Sequence, residues 1–397
     1  MILRHIKKEY KEGTHRAKKI EETLEYLRKI YSKVGITRIA DITGLDRIGL
    51  PIFSTIRPKA AEGAVSVYSG KGISPEAAEV SAIMEGVERF SAEPDYRMII
   101  KGSYNSLSER YKVLDPRKLI LPPFTHYSHN EEIEWVLGFS LINNCDILVP
   151  AEAVFHPYKR ENQLFRTNTN GLASGNVIEE AIVHGLLEVI ERDAWSLYEV
   201  GITKGRDVYV DSNGMISNII NKFEKASIGV YIKDITSDIG IPTIGVALDD
   251  ELTKDPALLS LGLGTHLIPE IALIRALTEA AQSRLTTIHG VREDTYKAAF
   301  ARIIGYERMK RLNKKWFERS KESIKLSEIT SIDNDDFLND IDYIINRLKI
   351  IGIDEVIVVD LTKEEINVPT VRVIVPGLEV YAIDKDRIGK RCVRGKL

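Results

Sequence analysis

Two short stretches set pairs of carboxylates at helical spacing. In HGLLEVIERDAW, residues 184–195, Glu188 and Glu191 interrupt an otherwise apolar run, and in EVSAIMEGVERFSAE Glu85 and Glu88 do the same. Each pair is followed at once by an arginine, Arg192 in the first and Arg89 in the second. At about 100° per residue, Glu180, His184, Glu188 and Glu191 fall within about 80° of one another, opposite Leu186, Val189 and Ile190. On the other helix Ser81, Glu85, Glu88 and Ala92 lie within about 60°, opposite Val80, Ile83, Val87 and Phe90. One acidic stripe is an ordinary solvated face. Two of them, with small residues beside the acids, imply that the acidic faces look at each other. Carboxylates packed that way raise each other's pKa unless cations sit between them. Glu85, Glu88, Glu180, Glu188 and Glu191 are therefore the candidate metal ligands. Mg2+ fits them, because it takes hard oxygen ligands in company with phosphates, and no His/Cys cluster invites zinc.

A third helical segment places Arg275, Glu279, Gln282 and Thr286 within about 60°. Read alone, it is equally a surface helix with an internal Arg–Glu pair at four-residue spacing. TNTNGLASGN, residues 167–176, brings backbone amides at Gly171 and Gly175 and side-chain amides at Asn168, Asn170 and Asn176 to a helix N-terminus, a place where phosphate binds. The alternative is a loop that merely caps its helix, and Asn176 with Glu179 three residues on has the form of a capping box. SGKG at 69–72 lacks the spacing of a Walker loop and reads as a turn with a solvated Lys71.

These residues need elements to hold them. Ile20, Thr23, Leu24, Leu27 and Ile30 predict an amphipathic helix stopped by Gly35. Ser74 as N-cap, Pro75 in the first turn and Pro94 as terminator bound the helix of the first acidic pair. IPEIALIRALTEAAQSRLTTIHG predicts a third long helix, and VYVD, GVYIKDIT, IPTIGVALDD, EVIVVDLT and VRVIVPGLE predict buried strands. Residues 95–165 alternate short apolar runs with Pro and Gly, as strands and their connections do. The class is α/β or α+β, and with no Gly/Ser- or Pro-rich linker the whole of 1–397 reads as a single domain. Residues 306–345 are the most charged and read as surface helices or a mobile insertion away from the chemistry.

The 55 basic and 58 acidic side chains give a net charge of −3, which argues against a nucleic-acid binder with a basic face. No run approaches the roughly 20 apolar residues of a membrane span. The first residues lack the apolar core of a secretory signal, so the cytoplasm is the expected location. Cys145 and Cys392 are far apart and form no disulfide or zinc pattern.

In this order, GKGISPEAAEVSAIMEGVERFSAE, TNTNGLASGNVIEEAIVHGLLEVIERDAW, EAAQSR and VPTVRVIVPGLE resemble the YcaO family of ATP-dependent peptide-backbone modifying enzymes, over about residues 10 to 383. The resemblance implies mixed sheets packed with long helices around a central ATP–Mg2+ site. The family core would span about 60–383, with the N-terminal helical segment, 1–40, contributing to the nucleotide site. By the same resemblance Glu85, Glu88, Glu180, Glu188 and Glu191 are magnesium ligands, and Asn176 and Arg192 contact nucleotide or phosphate. Arg16 and Thr23 match the basic and hydroxyl contacts of the N-terminal helix, and Gln282 with Arg284 matches the QSR block. No residue is marked as the general base.

The implied reaction is attack by a nucleophile on a peptide carbonyl, whose oxygen ATP phosphorylates so that it can leave. A Cys, Ser or Thr side chain as nucleophile gives an azoline, and external sulfide or a sulfur donor gives a thioamide. The chain shows no appended peptide-clamp or ubiquitin-activating-like domain and ends in DRIGKRCVRGKL instead of a proline-rich tail. It is similar to stand-alone members of methanogenic archaea that thioamidate a glycine of methyl-coenzyme M reductase, with a TfuA partner delivering sulfur. Thioamidation is the expectation, with a peptide or protein substrate, no nucleic acid and no membrane; a homodimer is compatible with it. Azoline formation, an ATP–Mg2+-binding accessory protein and a two-metal phosphodiesterase are the alternatives.

Overall fold

The long helices form where the capping and periodicity signals coincide. The computed structural model describes residues 1–211, 214–292 and 296–393. Helix α1 (Ile20–Ile30) buries Thr23, Leu24, Leu27 and Ile30. Its three aliphatic side chains contribute roughly 2 kcal/mol each by leaving water. Helix α2 (Pro75–Ser91) opens on Ser74, whose Oγ accepts the Ala77 N–H at 3.2 Å, with Pro75 in its first turn. Helix α3 (Ile178–Val200) stops at Gly201 and α4 (Pro269–His289) at Gly290, both glycines in the left-handed region. Helix α5 (Phe337–Ile350) is capped by Asp336, which accepts the Leu338 and Asn339 N–H groups.

The expected capping box of α3 does not form. Val177 is the N-cap residue and no side chain caps there. The Glu179 carboxylate is instead taken by the Arg4 N–H at 2.8 Å, because an N-terminal strap lies across this turn. The strap continues with the Lys8 ammonium against buried Asp340 at 2.7 Å and ends with the Ala17 N–H on Glu180 at 2.9 Å.

Strands β1 (Arg38–Asp41), β2 (Ile52–Ile56) and β3 (Val67–Lys71) make an antiparallel sheet. Strands β4 (Ile99–Ser103), β5 (Glu132–Ser140), β6 (Cys145–Pro150) and β7 (Leu172–Ser174) begin a second. A third sheet holds β8 (Arg206–Tyr209), β9 (Gly229–Asp234), β10 (Thr243–Asp249), β11 (Ser260–Thr265) and β12 (Ser323–Lys325), ordered β11-β10-β9-β8-β12. The chain then returns with β13 (Ile357–Asp360) and β14 (Thr370–Ile374), completing the second sheet as β4-β5-β13-β14-β7, with β6 on β5.

Each sheet carries one long helix. Helix α2 lies on β2 and β3, α3 on β7 and β14, and α4 on β10 and β11. Two approaches are close enough to require glycine. A Cβ on Gly70 would stand 2.0 Å from the Ala82 nitrogen, and one on Gly264 would stand 2.0 Å from the Ala272 carbonyl oxygen. Glycine on the strand and alanine on the helix let the two backbones meet. Between α3 and its sheet, Leu186 and Ile190 share a core with Val371 and Val373, and α5 adds Ile341 and Ile344 to it.

The charged region is thus not a mere insertion. Its β12 extends the third sheet by pairing in parallel with β8, and the apolar face of α5 packs on α3 while Asp340 of the same helix is buried against Lys8. Among the described residues no helix is long and apolar enough to cross a membrane. Residues 394–397 of the expected C-terminal tail lie outside the described residues. Just before them, Cys392 is buried and its thiol is pushed up to about 12 by burial and by Glu379.

Candidate functional site

The polar faces of α2, α3 and α4 meet around a cavity of about 300 Å³, closed on one side by α1 and the strap. Glu85, Glu88, Glu180, Glu188 and Glu191 line it, and so do Arg16, Thr23, Asn176, Arg192 and Gln282. Arg284 does not. It is 1% exposed and its guanidinium meets Asp46 and Asp250, each at 2.9 Å. Two residues beyond Gln282 is about 200° around the helix, so Arg284 points to the far side of α4.

The first two sheets supply donors for the acids. The Ser174 N–H and hydroxyl, at the end of β7, donate to one oxygen of Glu88 at 2.9 and 2.8 Å. The Ser69 N–H in β3 reaches Glu85 at 3.3 Å, and Arg89 reaches the other oxygen at 3.2 Å. The Gln282 amide donates to the Ser69 carbonyl, so one residue of β3 ties α2 to α4. Lys71, expected in a solvated turn, ends β3 and pairs with Glu279 at 2.5 Å inside the cavity. At the other end the Thr23 hydroxyl donates to Asn176 Oδ1 at 2.8 Å, and the Asn176 amide donates to Glu180 at 3.3 Å. Glu180 also faces Arg16 at 3.6 Å, so it anchors the strap as well as lining the cavity.

The charges here are only partly matched. Burial pushes Glu88 up to about 7, with Glu188 and Glu85 adding to the shift and Ser174 opposing it. Burial also raises Glu191 to about 7, against Arg192 at 3.5 Å and helped by Glu279 and Glu188. Glu188 is raised by burial while Arg192, Arg372 and Arg89 hold it down. His184 is kept well below the usual histidine range by burial and by Arg275, Arg16 and Lys71, so it is a neutral imidazole whose Nε2 faces Arg275 at 3.3 Å. The Arg275 Nε is buried without an acceptor among the described residues.

A divalent cation between α2 and α3 and an anion beside Arg275 would satisfy both deficits. Among the described residues no group of three or more His, Cys, Asp or Glu side chains is gathered tightly enough to hold an ion alone. That suits Mg2+, which usually takes one or two carboxylates and completes its shell with phosphate oxygens and water. The sequence stripes led to the acids, and the loop TNTNGLASGN led to Asn176. Ser69, Ser174 and the Arg275–His184 contact were missed, since backbone donors in a strand and pairs on different helices leave no local pattern.

A family model described as "YcaO cyclodehydratase, ATP-ad Mg2+-binding" matches residues 69–379. Over 377 residues the chain is 49% identical to an uncharacterized protein of Methanothermobacter thermautotrophicus, covering 93% of this chain and 96% of that one. It is 30% identical to an uncharacterized protein in the tfuA 3′ region of Rhizobium leguminosarum bv. trifolii, over 90% of this chain and 87% of that one. YcaO from Methanopyrus kandleri bound with AMPPCP and Mg2+ has the same fold, with a TM-score of 0.82 and 29% identity over 97% of this chain and 98% of that one.

Proposed function

We propose a function from one premise: this chain belongs to the YcaO family, ATP-dependent enzymes that act on peptides, with ATP and Mg2+ as cofactors. The reading is that it thioamidates a peptide backbone. A peptide amide, hydrosulfide and ATP would give a thioamide, ADP and phosphate. ATP supplies the phosphoryl group that turns a poor leaving oxygen into a good one.

The residues of this chain would divide that work. Glu85, Glu88, Glu188 and Glu191 supply the negative charge that holds Mg2+, and Glu180, with Asn176 and Thr23, fixes the strap over the nucleotide. Arg16, Arg192, Arg275 and Lys71 offset phosphate charge in a cavity where burial strengthens each contact. Neutral His184 keeps the Arg275 fork turned without adding to the cationic charge. Gln282 fixes α4 against β3 and so sets how far Glu279 stands from Glu85.

The observation that favours sulfur as nucleophile is the tfuA neighbourhood of the Rhizobium relative. A TfuA-like protein delivering sulfur, and a glycine of methyl-coenzyme M reductase as the target, fit this reading and the archaeal relative. The test is mass spectrometry of that peptide after incubation with the protein, ATP, Mg2+ and sulfide. The peptide gains the mass difference between sulfur and oxygen; loss of one water would identify an azoline-forming enzyme instead. Cys145 is half-buried on β6 and Cys392 is buried with a raised thiol, so neither suits sulfur relay. The variant with both cysteines changed to alanine keeps its activity. Its complete inactivity, with folding and nucleotide binding intact, would show that a protein thiol carries the sulfur.

A further inference from the structure

The nucleotide reading leaves the buried cation of Arg372 without a task. Arg372, in the middle of β14, is 1% exposed. Its Nε donates to the Val154 carbonyl at 2.9 Å, its Nη1 to that of Asn170 at 2.8 Å and its Nη2 to that of Asn168 at 3.1 Å. Among the described residues no carboxylate pairs with it directly. Burial draws its pKa down to about 10, and only the longer-range pull of Glu188 and Glu88 opposes this. A guanidinium buried among neutral carbonyls is a poor way to fill a core, since an apolar side chain of similar volume is often at least as stabilising. Its neighbours Val371 and Val373 fill the core with α3, so Arg372 points to the other face of the sheet.

The loop that it grips is the wall between α2 and α3. Thr169, Leu172 and Ser174 line the cavity, and Ser174 donates to Glu88. The peptide bonds of this loop are trans, the cis bond recorded being His156–Pro157. In a planar trans peptide the C=O and the following N–H point in opposite directions. Drawing the carbonyls of Asn168 and Asn170 into the Arg372 fork therefore turns the N–H groups of Thr169 and Gly171 the other way. Neither N–H meets an acceptor among the described residues. Gly171 has φ +76°, and a Cβ there would lie 2.1 Å from the Val373 carbonyl oxygen, so the turn admits only glycine.

We propose that Arg372 is a positioning residue that, from behind the sheet, turns the N–H groups of Thr169 and Gly171 toward the phosphate oxygens of the bound nucleotide. The inference rests on the nucleotide site proposed above and is independent of what the peptide becomes. The intervening Asn170 N–H is taken by Asn168 Oδ1 at 3.0 Å, which leaves the two flanking N–H groups for an anion, and hydrogen bonds to a charged oxygen are the strong ones. The charge of Arg372 would also explain how Glu88 and Glu188 are tolerated side by side.

The test compares Arg372→Met, Arg372→Lys and Arg284→Met by calorimetry with Mg·ATP and with adenosine, and by thermal melting. Arg372→Met is expected to weaken Mg·ATP binding about tenfold or more, the effect of losing hydrogen bonds to a charged group. Arg372→Lys, which keeps the charge and loses the fork, falls between it and the unaltered protein. Adenosine, which lacks phosphates, binds all three alike. Arg284→Met lowers the melting temperature and leaves Mg·ATP affinity unchanged, as a purely structural buried arginine should. A folded Arg372→Met protein that binds Mg·ATP as tightly as the unaltered chain overturns the proposal. Should that variant not fold, unchanged affinity in Arg372→Lys overturns it equally. Failure of the unaltered protein to bind Mg·ATP would instead overturn the nucleotide site itself, and the role of Arg372 with it.

Discussion

Two clusters of buried acids flank α4, and they are built on opposite principles. On its far side Asp46 and Asp250 share Arg284, and Asp250 also takes Arg47 at 2.6 Å. There burial is outweighed by hydrogen bonds from Arg47 and Thr253, and Asp250 is held well below the usual carboxylate range. On the cavity side Glu88 and Glu191 rise to about 7, chiefly through burial and with neighbouring glutamates adding to it, because among the described residues no arginine hydrogen-bonds to either of them. Acids matched by arginine serve the fold, whereas acids left unmatched store a demand for a cation. The difference separates a structural ion-pair knot from a binding site without reference to any ligand.

Removing an unmatched acid should therefore affect binding and spare the fold. Glu191→Gln is expected to lower Mg·ATP affinity about 100-fold, because losing one ligand charge leaves the cation under-coordinated. Its metal-free melting temperature should hold or rise as repulsion is relieved. Calorimetry with and without Mg2+ checks both, and undiminished affinity would remove Glu191 from the site.

Protons compete for the same demand. Glu88 and Glu191 take up protons near 7 in the metal-free fold, above their values in the unfolded chain. Between the ordinary carboxylate range and 7 the folded state then binds more protons than the unfolded one, so metal-free stability falls as pH rises through that window. Mg2+ must displace those protons, so Mg·ATP affinity falls by up to about tenfold per pH unit for each group below 7. Binding isotherms at pH 8 and pH 6 decide this, and equal affinities would contradict it.

The knot should behave in the reverse way. Asp250→Ala leaves Arg284 buried with half its countercharge, a loss of about 3 kcal/mol of stability. Mg·ATP affinity in the folded fraction stays unchanged, which chemical denaturation and calorimetry together would establish. The smallest effect belongs to Glu131, which pairs with Arg160 near the surface just before β5. Glu131→Gln should leave binding untouched and cost under about 1 kcal/mol.

Only the cavity side of this contrast was legible in the residue order, and the gaps have physical causes. Proline, serine and 3.6-residue periodicity located α1, α2 and α4, and the acidic stripes faced the cavity as their spacing implied. Arg284, off the stripe of Gln282 and assigned to the site only through the resemblance, packs instead on the far side of α4. Glu179 was misread because its partner, the Arg4 N–H, is a backbone group 175 residues away. The charges of 306–345 hid Phe337, Ile341, Ile344 and Ile345, which α5 buries. Lys71 looked solvated because its acid, Glu279, comes from a helix 208 residues later.

The N-terminal strap sets a timetable for the nascent chain. Arg4 and Ala17 wait for Glu179 and Glu180, Lys8 waits for Asp340, and α3 has no sheet to rest on until β14 is made. At ordinary rates of synthesis the first residues spend roughly 20 to 70 s between leaving the ribosome and meeting their last partners. Nucleotide therefore cannot assist early folding, and chains stalled near residue 300 should retain no ATP on ribosomes, while those released after β14 should.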